Sequence, residues 1–238
     1  MTLLEDALNA SGGMDRWHQL KRFTVHMSID GALLARKGKA GLLKDVVAEG
    51  CTHTQSLRFT GFTAPDKRAV YRPDQVAIEG LNGDLLQVRS NPRAAFLGHT
   101  DSTPWDDLHL AYFCGFSIWN YLTTPFLLAH PDVKIEELPS WGEGDDVWRP
   151  LRALFPASIA THSPEQIFYF DREGLQRRVD YRTTDTGDAQ IAHYSSAHQE
   201  FSGIVIPTLR RSLRLGSDGA VITRPASVNI EIFDASFE

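Results

Sequence analysis

From Phe23 the chain alternates, with Phe23, Val25, Met27 and Ile29 on one side and Thr24, His26, Ser28 and Asp30 on the other. That two-residue period is the signature of a half-buried strand. Runs of the same character follow at 41–49, 51–59, 69–71, 75–79 and 85–89, divided by turn formers such as Ala64-Pro65-Asp66, Arg72-Pro73-Asp74 and Asn82-Gly83-Asp84. They return at 148–155, 166–171, 175–182, 190–201, 203–215, 220–223 and 227–233, with Asp171-Arg172-Glu173-Gly174 and Ser217-Asp218-Gly219 as hairpin turns. Short turns make sequence neighbours antiparallel, so the spacing predicts two meanders.

Helical signals flank and interrupt them. Thr2-Leu3-Leu4-Glu5 has the spacing of a capping box, and Gly12-Gly13 can stop the helix it opens. Between the meanders Trp105, Leu108, Tyr112, Phe116 and Trp119 recur at helical spacing, while Leu110, Phe113, Ile118 and Leu122 make the other flanks apolar too. Thr103 reads as the N-cap, Pro104 as the first helical residue and Asp106 as the acid three residues on. A helix apolar nearly all round is a covered helix. The fold expected is therefore α+β and a single domain over 1–238: a strongly curved antiparallel sheet of about ten or more strands, a half-open barrel, wrapped around a buried helical insert at about 103–130. Space between a curled sheet and such a helix is where apolar pockets form.

Composition narrows the partners. A formal charge of -6 on 238 residues disfavours nucleic acid and anionic membrane surfaces, leaving small molecules and proteins. Cys51 and Cys114 are too few for a disulfide framework or a Cys-based zinc cluster. The first residues, Met1-Thr2-Leu3-Leu4-Glu5-Asp6, lack the basic and apolar regions of a secretory signal, so the cytoplasm is the expected location. The longest apolar stretch, 108–128, is broken by His109, Asn120, Thr123, Thr124 and Pro125, and no membrane span is expected.

Nine histidines invite a metal, but there is no H-E-x-x-H and no His pair at i, i+4, and His193 and His198 fall on opposite faces of a regular strand. Neither a metal nor a nucleotide cofactor is expected, since Gly-rich phosphate loops are also absent. The remaining chemistry lies in acid/base candidates near aromatic segments: His99, His109, His162, His193, Asp180 and Tyr169. Arg178 and Arg210 are candidates for holding a carboxylate or enolate oxygen, with Trp105, Tyr112, Trp119 and Tyr181 as pocket wall. On the strand at 175–182, Arg178, Asp180 and Arg182 share one face and Arg177, Val179 and Tyr181 the other. Pattern alone leaves open which face lines the cavity.

The order of elements, with its opening helix, Gly12-Gly13, a strand beginning near Trp17 and Phe23, a meander, a helical insert and a second meander, resembles the lipoprotein-localisation-factor superfamily of LolA/LolB type. The text Phe168-Tyr169-Phe170-Asp171-Arg172-Glu173-Gly174-Leu175, followed by Phe201-Ser202-Gly203-Ile204-Val205-Ile206-Pro207, is similar to that group's hairpin rhythm. The resemblance implies a concave apolar surface able to hold acyl chains or other greasy molecules. Two functions are expected in turn: a cofactor-independent acid/base enzyme of lyase, isomerase or hydrolase type on a mostly apolar small molecule, or a non-catalytic carrier or sensor of acyl or aromatic ligands.

Overall fold

Alternation in the first third of the chain becomes a six-stranded antiparallel meander: β1 (Arg22–Asp30), β2 (Leu43–Cys51), β3 (Leu57–Thr60), β4 (Lys67–Arg72), β5 (Gln75–Gly80) and β6 (Leu85–Ser90). The computed structural model describes residues 2–183 and 187–238. A second antiparallel series comprises β7 (Lys134–Glu137), β8 (Trp141–Glu143), β9 (Asp146–Leu154), β10 (Glu165–Phe170), β11 (Gln176–Arg182), β12 (Gln190–Phe201), β13 (Ile204–Leu215) and β14 (Val221–Ile222). The final strand, β15 (Val228–Phe237), pairs with β1 on one side and β13 on the other. It joins the two series into one open sheet of order β6-β5-β4-β3-β2-β1-β15-β13-β12-β11-β10-β9-β7, with β14 beside β13 and β8 beside β9.

Four helices accompany the sheet among the described residues: α1 (Leu3–Ala10), α2 (Met14–Gln19), α3 (Ala32–Arg36) and α4 (Asp107–Thr123). Thr2 and Glu5 close the expected box at α1. The short α2 and α3, and strands β7 and β8, carry too few residues for a period to show in the sequence. The expected start of the insert needs correction. Its N-cap is Asp106, whose side chain accepts from the His109 N–H at 2.8 Å, while His109 Nδ1 accepts from the Asp106 N–H at 3.3 Å. Thr103 is engaged elsewhere, its hydroxyl accepting from the Thr100 N–H at 2.9 Å. Past α4 a short 3-10 turn, Phe126–Ala129, completes the inserted segment.

One cluster of buried side chains runs from Leu3 to Phe237. Its centre is α4, fourteen of whose 17 residues are buried, so both flanks predicted to be apolar are covered. The helix lies against β4 and β5, and the contact is closest at Gly115. A Cβ there would stand 2.1 Å from Cγ and 2.7 Å from Cβ of Tyr71, a ring with no exposed surface. Gly115→Ala should therefore cost about 1–3 kcal/mol despite alanine's better helix propensity, read as a lower urea midpoint at unchanged slope. An unchanged midpoint would mean that α4 does not approach β4 this closely. No helix among the described residues is long and apolar enough to cross a membrane.

Candidate functional site

The register decides which side chains of β11, β12 and β13 face α4. His193 pairs with Val179 and Ser212, Tyr181 with Ile191, and Ser195 with Arg210, and these residues form the inner face. Arg178 pairs with Tyr194 and Tyr169, and these side chains form the outer face. The open alternative for β11 is thereby resolved in part: Val179 and Tyr181 point inward. Arg177 does not follow them, because the register slips between Tyr169 and Phe170 and the Arg177 guanidinium lies 3.8 Å from Asp171.

A pocket lies between α4 and this inner face. Phe113, Cys114, Ser117, Ile118 and Tyr121 of α4 form one wall, and Ile29, Tyr181, Ile191, Ser212, Val228 and Ile230 form the other. Its void is about 30 Å³, and a second void of about 10 Å³ sits on the far side of Tyr121 and His162, which line both. Spaces of that size hold one or two waters at most. Arg36 and Arg214 stand at one end of the pocket, each bonded to Asp101.

Polar groups at the inner end form a continuous chain. The Ser212 hydroxyl lies 3.1 Å from His193 Nδ1, and that nitrogen 3.5 Å from the Tyr181 hydroxyl. Tyr181 and Tyr121 hydroxyls are 3.3 Å apart, Tyr121 reaches His162 Nε2 at 2.7 Å, and Ser117 reaches the same nitrogen at 3.3 Å. The His162 ring also stacks on Tyr181, centroids 4.2 Å apart. Burial dominates the electrostatics. It pushes His162 down to about 3, with the Arg93 charge adding to the effect, and takes His193 well below the ordinary imidazole value, with Arg210 reinforcing it. It raises both tyrosines, Tyr121 strongly. At neutral pH the chain of side chains is uncharged, and its members hydrogen-bond one another as neutral donors and acceptors.

The other expected site residues lie in two further places. On the outer face Arg178 bonds Asp180 through two nitrogens, at 2.6 and 2.9 Å, and reaches Glu143 at 2.8 Å and the Tyr194 hydroxyl at 3.1 Å. The Tyr169 hydroxyl donates to Asp180 at 3.1 Å, and the rings of Trp141, Tyr169 and Tyr194 surround the guanidinium. The β8–β9 hairpin folds over this cluster and buries the Arg178 side chain, while Trp141 and Glu143 keep part of their surface in solvent. At the start of α4, His99 and His109 rings lie 4.8 Å apart, and Phe96 packs against both of them, Trp105 and Tyr112. His109 Nε2 is 3.2 Å from the Ala95 carbonyl, so this imidazole ties the helix start to the preceding turn. Trp119 donates to the Cys51 carbonyl at 2.7 Å, away from the pocket.

Of the expected residues, the structure thus brings His162, His193, Tyr181 and Arg210 together on the inner side. Tyr121, Ser117 and Ser212 complete that group and stand outside the expected set. Ser117 and Tyr121 are a polar pair at i, i+4 on a largely apolar helix, a signal present in the sequence. Among the described residues no group of three His, Cys, Asp or Glu side chains could hold a metal ion.

The architecture is thus an open antiparallel sheet with one face over a buried helix and a small, largely apolar pocket between them. No family model and no curated protein matches the chain. Solved structures do. A LolA superfamily protein from Nitrosomonas europaea covers 99% of this chain and 92% of its own at 9% identity and a TM-score of 0.52. A putative outer membrane lipoprotein-sorting protein domain from Vibrio parahaemolyticus has the same coverage and identity with a TM-score of 0.55. A DUF1329 family protein from Desulfovibrio piger matches at 12% identity and a TM-score of 0.52, again over 99% and 92% of the two chains. The fold is LolA-like, as the order of elements implied.

Proposed function

We propose that this protein is a non-catalytic carrier or sensor of a hydrophobic small molecule, acyl or aromatic, held between α4 and the inner face of the sheet. The observation that carries the reading is that burial moves the imidazoles and phenols at the pocket's polar end away from neutral pH. General acid/base catalysis at neutral pH works best with a group titrating near 7, and His162, the imidazole that lines the pocket, is held at about 3. Apolar walls with a few neutral hydrogen-bonding groups suit retention of a ligand better than proton transfer. The likeness to a structure described as a putative lipoprotein-sorting domain supports the same reading over the enzyme that the histidines first suggested. Because the voids hold only water, loading requires α4 side chains such as Phe113 and Ile118 to turn aside, so the empty form is a closed one.

Native mass spectrometry of protein from its own host, followed by denaturing extraction, tests the proposal. The expected result is an adduct released as an acyl or aromatic compound, and the stripped protein should bind a fluorescent fatty-acid probe with micromolar affinity. Failure of the stripped protein to take up either acyl or aromatic probes would overturn it.

A further inference from the structure

Arg210 has a peculiarity that the pocket's neutral chain lacks. Its side chain is buried, with 4% of the residue exposed, and it makes no ion pair with a carboxylate among the described residues. Two of its nitrogens are occupied, one on the Ser195 hydroxyl at 3.1 Å and one on the Tyr121 carbonyl at 2.7 Å, and the guanidinium carbon lies 4.9 Å from the centre of the Tyr121 ring. Its Nε–H has no partner. Burial lowers it to about 10, so it is still a cation at neutral pH.

His193 repeats the pattern beside it. The residue has no exposed surface, and its Nε2 also lacks a partner. In the tautomer in which Nδ1 accepts from the Ser212 hydroxyl, Nε2 carries the proton and is a second unused donor. His193 and Arg210 are diagonal neighbours on the paired strands β12 and β13, and the Tyr121 ring covers both, its centre 4.5 Å from that of His193. Buried donors without partners are rare, and a buried charge without a counterion rarer, unless a ligand supplies what is missing. On the same inner face, Ser212, two residues from Arg210 on β13, already lines the pocket.

We propose that Arg210 and His193 form an internal seat for an anionic head group, so that the pocket takes an acyl chain ending in a carboxylate or phosphate, head inward beneath Tyr121. This rests on the carrier reading and adds the ligand's charge and direction. Tyr121 is the element that has to move for this: its side chain lines both voids and its ring lies beside both the guanidinium and the imidazole. Rotation of the ring gives the head group the room and the counter-charge position that the closed form lacks. Arg36 and Arg214 do not meet the same need, because Asp101 already neutralises part of their charge at the pocket's other end.

Calorimetric titration of the stripped full-length protein with dodecanoate, dodecyl phosphate and dodecanol separates the possibilities. The wild type should bind at least one of the two anions ten-fold or more tightly than the alcohol, and whichever anion binds more tightly identifies the head group. Arg210→Gln should lose that preference while keeping its affinity for dodecanol, and Arg210→Lys, which keeps the charge, should keep part of it. Arg210→Met replaces the Gln variant should the latter fail to fold. The Arg36→Gln/Arg214→Gln double variant should retain the preference, and its loss there with retention in Arg210→Gln overturns the seat. Equal binding of all three amphiphiles by the wild type also overturns the seat but leaves the carrier reading standing. If none of the three binds, the seat falls and so does the acyl form of the carrier reading.

Discussion

Stability should drop steeply as the pH falls below 6.5, before most carboxylates have begun to titrate. His162 and His193 are buried and neutral in the folded protein, the first at about 3 and the second well below the ordinary value. In the unfolded chain both imidazoles titrate near 6.5. The sign follows from which state takes up protons. As the pH falls below 6.5 the unfolded chain binds protons at these positions that the folded one refuses, down to about 3 at His162, so acid favours unfolding. His162 then costs about 1.4 kcal/mol per pH unit, or about 3 kcal/mol by pH 4.5, and His193 adds to it in the same direction. That is a sizeable share of the stability of a typical domain. His198, taken to about 4 by burial, adds to the slope. Urea unfolding followed by tryptophan fluorescence between pH 7 and 4.5 measures the effect, and His162→Gln should flatten the curve. A midpoint that stays level to pH 5 would mean that the two imidazoles are not held neutral in the fold.

Arg178→Met should be the most damaging single substitution on the outer face. Its side chain, 4% exposed, is the counter-charge to Asp180 and Glu143 at once. Burial raises the Asp180 carboxyl even with the guanidinium in place, whereas hydrogen bonds from Tyr194 and Trp141, together with Arg178, hold Glu143 below its usual value in spite of burial. Removing the cation leaves both carboxylates covered and unpaired, a loss of about 3–5 kcal/mol. The deficit relative to the wild type should narrow as the pH falls. With its folded-state value raised further, Asp180 takes up a proton early and ceases to be an uncompensated charge. Adding Asp180→Asn should restore part of the loss at pH 7, and a double-mutant cycle reads the coupling. A deficit under 1 kcal/mol would place the cluster in solvent.

How much of this was legible varies from strand to strand. β1 has one buried and one exposed face, so Phe23, Val25, Met27 and Ile29 announce it and its orientation together. β11 is buried on both sides, by α4 within and the β8–β9 hairpin without, and its burial runs through Arg178, Val179 and Tyr181 with no two-residue period. No pattern in that strand could say that Tyr181 faces the pocket and Arg178 the hairpin. The helix start was misread for a different reason: in its capping box His109 takes the place usually held by Glu or Gln, so the familiar spacing pointed to Thr103 instead. The inner polar group was half legible. His162, His193, Tyr181 and Arg210 stood out as chemistry-bearing residues, but their meeting depends on pairings between β11, β12 and β13 and on a helix far away in sequence.

The position of β15 between β1 and β13 has a consequence for how the chain reaches this state. Each meander is built from neighbours in sequence and can zip up by short hairpins, a fast route for antiparallel structure. The centre of the sheet, by contrast, waits for residues 228–237, which are made after both strands that they join. Until then β1 presents an edge of unpaired backbone along its length, and β13 one at Leu209–Ser212, to any other extended chain nearby. The period of greatest aggregation hazard is therefore the interval between completion of the two halves and docking of the strand that joins them.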